Sequence, residues 1–506
     1  MMARPRDVTG TVAETGRGIA SYGVSRASRS ACFVHDRRRE VDGTISTISH
    51  DESTALGNLV AADELVLLIE CDRPSGGSSR HRLVDIDEVQ IGRGPARTIE
   101  RRARRLVVRV PDGRVSTTHA FIRRQEGSFF LDDGGAKNGT VVNGARVARH
   151  LLRDGDIIEC GRTFFVFRLA RPRLGSEPAD LELSPRKTRV PGLMTFHVGL
   201  GAQLHALDDV ARSSLPVLIL GPTGSGKELI ARAVHEQSAR SGSFVAVNCG
   251  ALPDNLVEAE LFGVRRGAFT GAHEERTGLV RTSDQGTLFL DEIGDLPLDA
   301  QPALLRALQE KEVQPVGATR PVSVNFRLVA ATHHDLAELT GAKRFRADLL
   351  ARVSGFVIRL PSLRERMDDI GLLIASLLDR HGGNAQPAPT ISPHVVRLLL
   401  HHDWPLNIRE LEHCLRAALA LSGGRIEASH LSEAIRNPTA PAQTRTRPPA
   451  RPTRVLTPEQ VAARERLRGL LIEHRGNISL VARVMGKDRV QIRRWIRLFA
   501  LSTSAG

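Results

Sequence analysis

The sequence lacks any C-x-x-C pair: its five cysteines, Cys32, Cys71, Cys160, Cys249 and Cys414, stand far apart. That absence excludes a zinc ribbon and a disulfide framework, and it fits a reducing compartment. No apolar run approaches the roughly 18 residues needed to cross a bilayer. The N-terminus has no signal-type apolar core, so a soluble, cytoplasmic protein without a membrane partner is expected. No repeat of solenoid period is present, which excludes stacked-repeat architectures. Acids are in short supply, with 57 Asp and Glu against 71 Lys and Arg, a formal charge of +14. Such a balance favours a polyanionic partner, nucleic acid first and nucleotide second.

With 506 residues the chain is too long for one core, and about three domains are expected. Residues 1–62 read as an Arg- and Ser-rich disordered tail. Gly10, Gly16, Gly18 and Gly23 break up any amphipathic targeting helix there. Across 63–170, short β-branched runs alternate with glycine turns, which predicts a β-sandwich. A proline-bearing connector follows at 171–191. Over 192–437 strands alternate with helical patterns, predicting an α/β domain with a parallel sheet and a helical lid. A second linker at 438–457 is rich in proline and arginine, and 458–506 reads as a small all-α domain.

Chemistry first shows itself in the loop Gly221, Pro222, Thr223, Gly224, Ser225, Gly226, Lys227, Glu228, set between the apolar strand at Val217 and a helical run. Glycines there let backbone N–H groups close around phosphate at a helix N-terminus, and Lys227 reaches the outer phosphates. The general pattern wants a hydroxyl residue after the lysine, where Glu228 stands. Downstream, the apolar strand from Thr287 ends in two acids, Asp291 and Glu292. Adjacent carboxylates at the end of a buried strand do not serve packing. Asp291 is suited to hold Mg2+ through water and Glu292 to polarise an attacking water as general base.

At this density of motifs the segment from Met194 to Asn437 resembles the AAA+ domain of bacterial enhancer-binding proteins, the activators of sigma-54 RNA polymerase. The resemblance is carried by the phosphate loop, Asn248 with Cys249, Glu260-Leu-Phe-Gly263, Gly267 to Ala272, Leu288 to Gly294, and Leu360 to Arg366. In that family a Glu after the loop lysine is usual. The resemblance implies ATP as substrate, Mg2+ as cofactor, and a homo-oligomeric ring of six or seven subunits. It also implies that Gly267, Ala268, Phe269, Thr270, Gly271 and Ala272 form the loop that grips sigma-54. By the same resemblance Arg346 and Arg352 are arginine fingers reaching a neighbour's site, Asn248 is a polar switch, Thr332 and His333 are the sensor, and Arg409 reads nucleotide from the lid. Two departures stand out: Leu406 where the family has glycine, and His333 where it has asparagine.

Ahead of that domain, Ile91-Gly-Arg93, Ser116 with His119, Asn138-Gly-Thr140, Asn143-Gly144 and Gly155-Asp156 fall in an order that resembles a forkhead-associated (FHA) domain. The resemblance implies that Arg93 and Ser116 bind phosphate and Asn138 the backbone of a phosphothreonine-containing partner, with His119 bracing the loop. An arginine-rich insertion, Arg97 to Arg105, adds positive charge. At the far end, apolar positions at helical spacing flank Gly486, helix-turn-helix spacing with Arg489, Gln491, Arg493, Arg494 and Arg497 on the polar face. That segment resembles the Fis-type tail of the same activators, which implies enhancer DNA as a partner. The expected protein is thus a sigma-54-dependent activator that senses Ser/Thr phosphorylation. A DNA-binding repressor or phosphopeptide scaffold with a vestigial ATPase stays open beside it.

Overall fold

A computed structural model describes residues 59–185, 193–253, 256–268, 274–382 and 388–437, with 466–467, 470, 474 and 478–487 nearer the C-terminus. These residues belong to one compact unit spanning 55–506.

The first thirteen strands build the sandwich. They are β1 (Leu59–Glu70), β2 (Ser78–Arg82), β3 (Glu88–Arg93), β4 (Thr98–Arg102), β5 (Arg105–Val110), β6 (Ala120–Gln125) and β7 (Ser128–Asp133), then β8 (Thr140–Val142), β9 (Ala145–Val147), β10 (Arg149–Leu151), β11 (Ile157–Cys160), β12 (Thr163–Leu174) and β13 (Asp180–Leu183). One sheet runs β13-β2-β1-β12-β11-β8-β9 and the other β10-β7-β6-β3-β5-β4. Strands β1 and β12 pair antiparallel with Leu65 opposite Phe167, Val66 opposite Val166 and Leu67 opposite Phe165. Period-two alternation sends Leu65, Leu67, Phe165 and Phe167 into the sandwich core with Val89, Ile91 and Phe129.

Two sequence expectations need correction here. The connector expected at 171–191 is strand for much of its length, because β12 runs on to Leu174 and β13 pairs with β2. The reason is ionic: Arg173 is held by Glu64, and Asp180 by His81 and Arg101, so this charge-bearing text is a paired sheet edge. The arginine-rich insertion contains the hairpin strand β4; Arg97, just before it, bonds Glu70, and Arg101 within it bonds Asp180. Those two cations are neutralised within the fold rather than offered to a ligand.

The α/β domain is a five-stranded parallel sheet, ordered β15 (Phe244–Asn248), β16 (Thr287–Asp291), β19 (Arg327–Thr332), β14 (Val217–Leu220), β20 (Phe356–Arg359). A two-residue ribbon, β17 (Glu312–Val313) with β18 (Val322–Ser323), lies apart from it. Its strands are near-continuous apolar runs because helices cover both faces. Val217, Ile219, Phe289 and Val329 face one layer, and Leu218, Leu288, Leu290 and Leu328 the other. The lid follows as helices Ile370–Gly382, Pro393–His401, Asn407–Ser422 and Glu433–Arg436. Ser392 caps the second of these by accepting from the Val395 N–H, with Pro393 at its first position.

Sandwich and lid share one core. Val66, Leu68, Ile69, Phe164 and Val166, on the outer face of the β1–β12 pair, pack with Met194, Phe196, Ile370, Leu373 and Leu377. Each such side chain contributes roughly 1.5–3 kcal/mol when fully buried, so the joint is a core and not a loose contact. Around it the Ile391 N–H donates to the Cys71 carbonyl at 2.9 Å, Arg397 grips Glu159 at 2.9 and 2.8 Å, and Arg168 grips Asp368 at 2.8 and 2.6 Å. The approach is close enough that a Cβ on Gly371 would collide with the Leu68 carbonyl.

Near the C-terminus the helix Ile478–Met485 ends at Gly486, which has φ +62. The Lys487 N–H reaches the Ala482 carbonyl at 3.0 Å and the Gly486 N–H that of Arg483 at 3.2 Å, a Schellman stop. Helix followed by a glycine turn is therefore present. The expected recognition residues Arg489, Gln491, Arg493, Arg494 and Arg497 lie outside the described residues.

Candidate functional site

Strand β14 delivers the chain to Gly221, and the loop that follows opens the helix Lys227–Gln237. Gly224 and Gly226 sit at φ +76 and +103, backbone that a side chain would strain. A Cβ on Gly224 would also strike the Leu406 carbonyl, so the lid lies directly on the loop. Asn407 Nδ2 donates to the Thr223 carbonyl at 2.9 Å and the Arg409 N–H to that of Gly224 at 3.3 Å. Leu406 itself has φ −103 and a side chain 52% exposed. A conformation open to any residue explains how leucine replaces glycine there without strain.

Lys227 is buried and donates to the Gly221 carbonyl and to Glu292 Oε1, both at 3.1 Å. The other oxygen of Glu292 accepts from the His333 N–H at 3.1 Å, from His333 Nδ1 at 2.8 Å and from Thr332 Oγ1 at 3.3 Å. Glu292 holds φ +52, a strained position for a residue with a side chain. Burial pushes its carboxyl up, but the bonds from His333 and the charge of Lys227 outweigh it and leave it below the usual range. Asp291 moves the other way, raised by burial and then by Glu292, with Lys227 and Arg409 opposing. Two adjacent carboxylates are thus driven apart in acidity, the pattern that separates catalytic roles.

Among the described residues no three His, Cys, Asp or Glu side chains converge as a metal cage. Asp291 alone fits magnesium, which takes one or two carboxylates and completes its shell with water and phosphate. Glu228, exposed on the first turn of the helix, pairs with Arg232 at 2.7 Å. Ser225 Oγ, inside the loop, is buried and has no hydrogen-bond partner among the described residues.

A small, partly open cleft of about 20 Å³ beside the loop is lined by Leu193, Leu200, Leu204, Leu229, Ile230 and Ile408, with Ser225 and Arg366 at the same wall. Its apolar residues were missed in the sequence, although Leu200 and Leu204, one helical turn apart just before β14, carried the signal.

Asn248 pairs in register with Asp291, but its exposed side chain accepts from the Gly250 N–H at 3.0 Å and not from the site. His333 makes the contact to Glu292 instead. Arg346 and Arg352 touch none of Lys227, Asp291 or Glu292; Arg346 pairs with Asp348 at 2.7 Å and Arg352 donates to the Leu308 carbonyl at 3.2 Å. Of the expected gripping loop, Gly267 and Ala268 are described, while Phe269, Thr270, Gly271 and Ala272 lie outside the described residues. The loop leaves and returns through a stem in which Val264 bridges Arg276 and Val316.

On the sandwich, the loops carrying Arg93, Ser116 and Asn138 lie side by side. The Arg93 N–H donates to the Ser116 carbonyl at 2.9 Å, the Lys137 N–H to Ser116 Oγ at 3.2 Å and Asn138 Nδ2 to the Arg114 carbonyl at 2.7 Å. The Arg93 side chain is exposed and makes no bond among the described residues. Buried His119 accepts from the Ser116 N–H at Nδ1, 3.1 Å, which leaves Nε2 to donate to the Gly139 carbonyl at 3.2 Å. It braces two of the three loops, and burial holds it below the usual imidazole range.

Comparison with known protein families matches residues 196–359 to the Sigma-54 interaction domain, 364–448 to the AAA+ ATPase lid domain and 80–161 to the FHA domain. Among curated relatives, the transcriptional regulatory protein ZraR of Escherichia coli strain K12 is 48% identical over 246 residues, 47% of this chain and 56% of that protein. The hydrogenase transcriptional regulatory protein HoxA of Cupriavidus necator is 42% identical over 299 residues, 58% of this chain and 62% of that one. A solved structure of NtrX from Brucella abortus in complex with ATP is similar at 28% identity and TM-score 0.43, covering 62% of this chain and 70% of that chain. The chain thus spans little more than half the length of the curated relatives. It carries an FHA domain and an AAA+ ATPase domain of the sigma-54 interaction type with its lid.

Proposed function

We propose that this chain, built on an FHA domain and a sigma-54 interaction ATPase, is a transcriptional activator that spends ATP to open promoters held closed by sigma-54 RNA polymerase. The observation that carries the reading is the assembled site: Lys227 and Glu292 face each other across the phosphate loop while the lid rests on Gly224. A vestigial ATPase in a repressor or scaffold has no reason to keep that set.

In the proposed reaction the γ-phosphate takes Lys227 from Glu292, and the freed carboxylate orients the attacking water as general base. Mg2+, held by Asp291 through water, would supply neutralising charge on the phosphates. Thr332 and His333 hold Glu292 in line, and Arg409 reads the nucleotide from the lid. Arg346 and Arg352, unattached to the site of their own chain, serve a neighbour in a ring of six or seven subunits. The stem at Val264 and Arg276 carries Phe269 and Thr270 against sigma-54. Arg93, Ser116 and Asn138 receive a phosphothreonine on a partner, and the C-terminal residues 458–506 bind enhancer DNA. The relatives' names, regulators of transcription, support the reading.

Transcription in vitro with sigma-54 holoenzyme, ATP and enhancer DNA tests it. Promoter opening is expected with the intact chain and none with Lys227→Ala, which is expected to hydrolyse no ATP. ATP turnover undiminished in that variant, or turnover without promoter opening in the intact chain, would refute the reading.

A further inference from the structure

Between the sandwich and the phosphate loop runs a series of largely buried polar contacts, with one link, Asp369 to Arg366, made by charge across a single turn and not by a hydrogen bond. Glu64 on β1 and Arg173 on β12 form a two-pronged pair at 2.7 and 2.7 Å, with both residues at most 4% exposed. The third arm of Arg173 donates to the Phe196 carbonyl at 2.6 Å, at the entry to the ATPase domain. The N–H of Phe196 then donates to Asp369 at 2.6 Å, and Thr195 Oγ1 donates to the other oxygen of that carboxylate at 2.6 Å. Asp369 is fully buried, and its charge attracts that of Arg366, itself 6% exposed, without a direct bond between them. Arg366 donates to the carbonyl of Ser225 at 2.9 Å, inside the phosphate loop.

Apart from half-buried Thr195 these groups are buried, so each depends on its neighbour to offset the cost of leaving water. Burial lifts Asp369 to about 6 against the pull of Arg366, the mark of a carboxylate kept for position at a cost to the fold.

We propose that the sandwich is a fixed part of the ATPase lid and that Arg173 is a positioning residue for ATP, setting the phosphate loop through Phe196, Asp369 and Arg366. The sandwich thereby acts on nucleotide binding from within the fold, with no need for a swinging linker. This inference rests on the ATPase reading above and names a control on the same site.

The double variant Glu64→Leu/Arg173→Met in the full chain tests it. Replacing a buried ion pair by apolar residues of similar volume commonly leaves stability intact; buried Arg80, which also faces Glu64 at 3.6 Å, keeps Glu177 at 2.6 Å, so the fold is expected to be kept while the bond to Phe196 is lost. The expected result is a rise of roughly three- to thirty-fold in the Kd for a fluorescent ATP analogue and in the KM for ATP. The kcat and the nucleotide-free unfolding temperature should stay near wild type, a split that a merely structural role does not produce. Wild-type Kd and KM in the folded double variant would overturn the proposal. Should that variant not fold, Asp369→Asn is read the same way: its amide can still meet Thr195, but the anion facing Arg366 is gone. Weaker ATP binding is expected and unchanged binding overturns the proposal. An unsubstituted chain that neither binds nor hydrolyses ATP would instead remove the ATPase reading, which separates the two failures.

Discussion

At the scale of single residues, the carboxylate of Glu292 is held by His333, Thr332 and Lys227 together. A general base contributes roughly a hundred- to ten-thousand-fold, so Glu292→Gln is expected to lower kcat by at least about a hundredfold. His333→Ala removes only one support and should lower kcat less than Glu292→Gln does, with KM little moved. His333→Asn, which can still donate to the carboxylate, should recover most of the loss. Steady-state kinetics decide it, and a His333→Ala enzyme at full kcat would show that the bond does no positioning. On the sandwich, His119 titrates below the ordinary imidazole range because it is buried. The unfolded chain therefore binds that proton more readily than the folded one. The contribution to stability is present above the unfolded pKa, near 6.5, and is lost as pH falls through the folded value. Phosphothreonine-peptide affinity is expected to drop on acidification through that window more steeply in wild type than in His119→Gln. Parallel titration curves for the two proteins would contradict it.

Among elements, the helix Ile370–Gly382 is the pivot, because every residue from Ile370 to Leu378 is buried. Glycine within a helix normally costs about 0.5–1 kcal/mol relative to alanine, which would make Gly371→Ala stabilising on propensity alone. Sterics decide the opposite here, since the added methyl would enter the space of the Leu68 carbonyl and of Ser78 Oγ. Gly371→Ala is expected to destabilise by roughly 1–3 kcal/mol, the range for overpacking, and thermal unfolding would register it; a raised midpoint would show that the sandwich moves off the lid freely. How far such elements could be read from sequence depends on the signal each carried. The phosphate loop and the acidic strand end were legible because glycine spacing and buried carboxylates have few other uses. Leu65-Val-Leu-Leu-Ile was legible as a strand, yet its lack of alternation also meant burial on both faces, which was not drawn from it. Ile370-Gly-Leu-Leu-Ile-Ala-Ser-Leu-Leu likewise has no polar stripe, the mark of a helix covered on all sides. What sequence could not supply was that these two unsatisfied faces meet each other, because that pairing joins residues some 300 positions apart. The tie of Glu64 to Arg173 was hidden for the same reason, and its charges made the segment look like a linker.

For the molecule as a whole, the shared core sets what the sandwich can do by itself. Cut out as residues 59–185, it would bare Val66, Leu68, Ile69, Phe164 and Val166 on one face, all of them buried in the intact chain. A contiguous apolar patch of that kind drives association. The rim offers little to oppose it: Glu159 and Arg168, largely buried in the intact chain, lose their lid partners Arg397 and Asp368 and are left to solvent. The inner core built on Leu65, Leu67, Phe165 and Phe167 is untouched by the cut, so the excised sandwich should still fold. It is expected to self-associate as concentration rises and to bind a hydrophobic dye, whereas a fragment of residues 59–437, with the lid in place, should do neither on that face. Exchanging Val66, Leu68 and Val166 for threonine in the short fragment should restore a monomer, because these side chains point away from the sandwich's own core. The same three changes in the longer fragment should lower its stability by several kcal/mol, since there each replaces a buried apolar group with a hydroxyl. Sedimentation of the short fragment and unfolding of the long one measure the two sides of a single surface. A short fragment that stays monomeric without the substitutions would mean that the face needs no cover, and that the lid is a neighbour of the sandwich and not its partner.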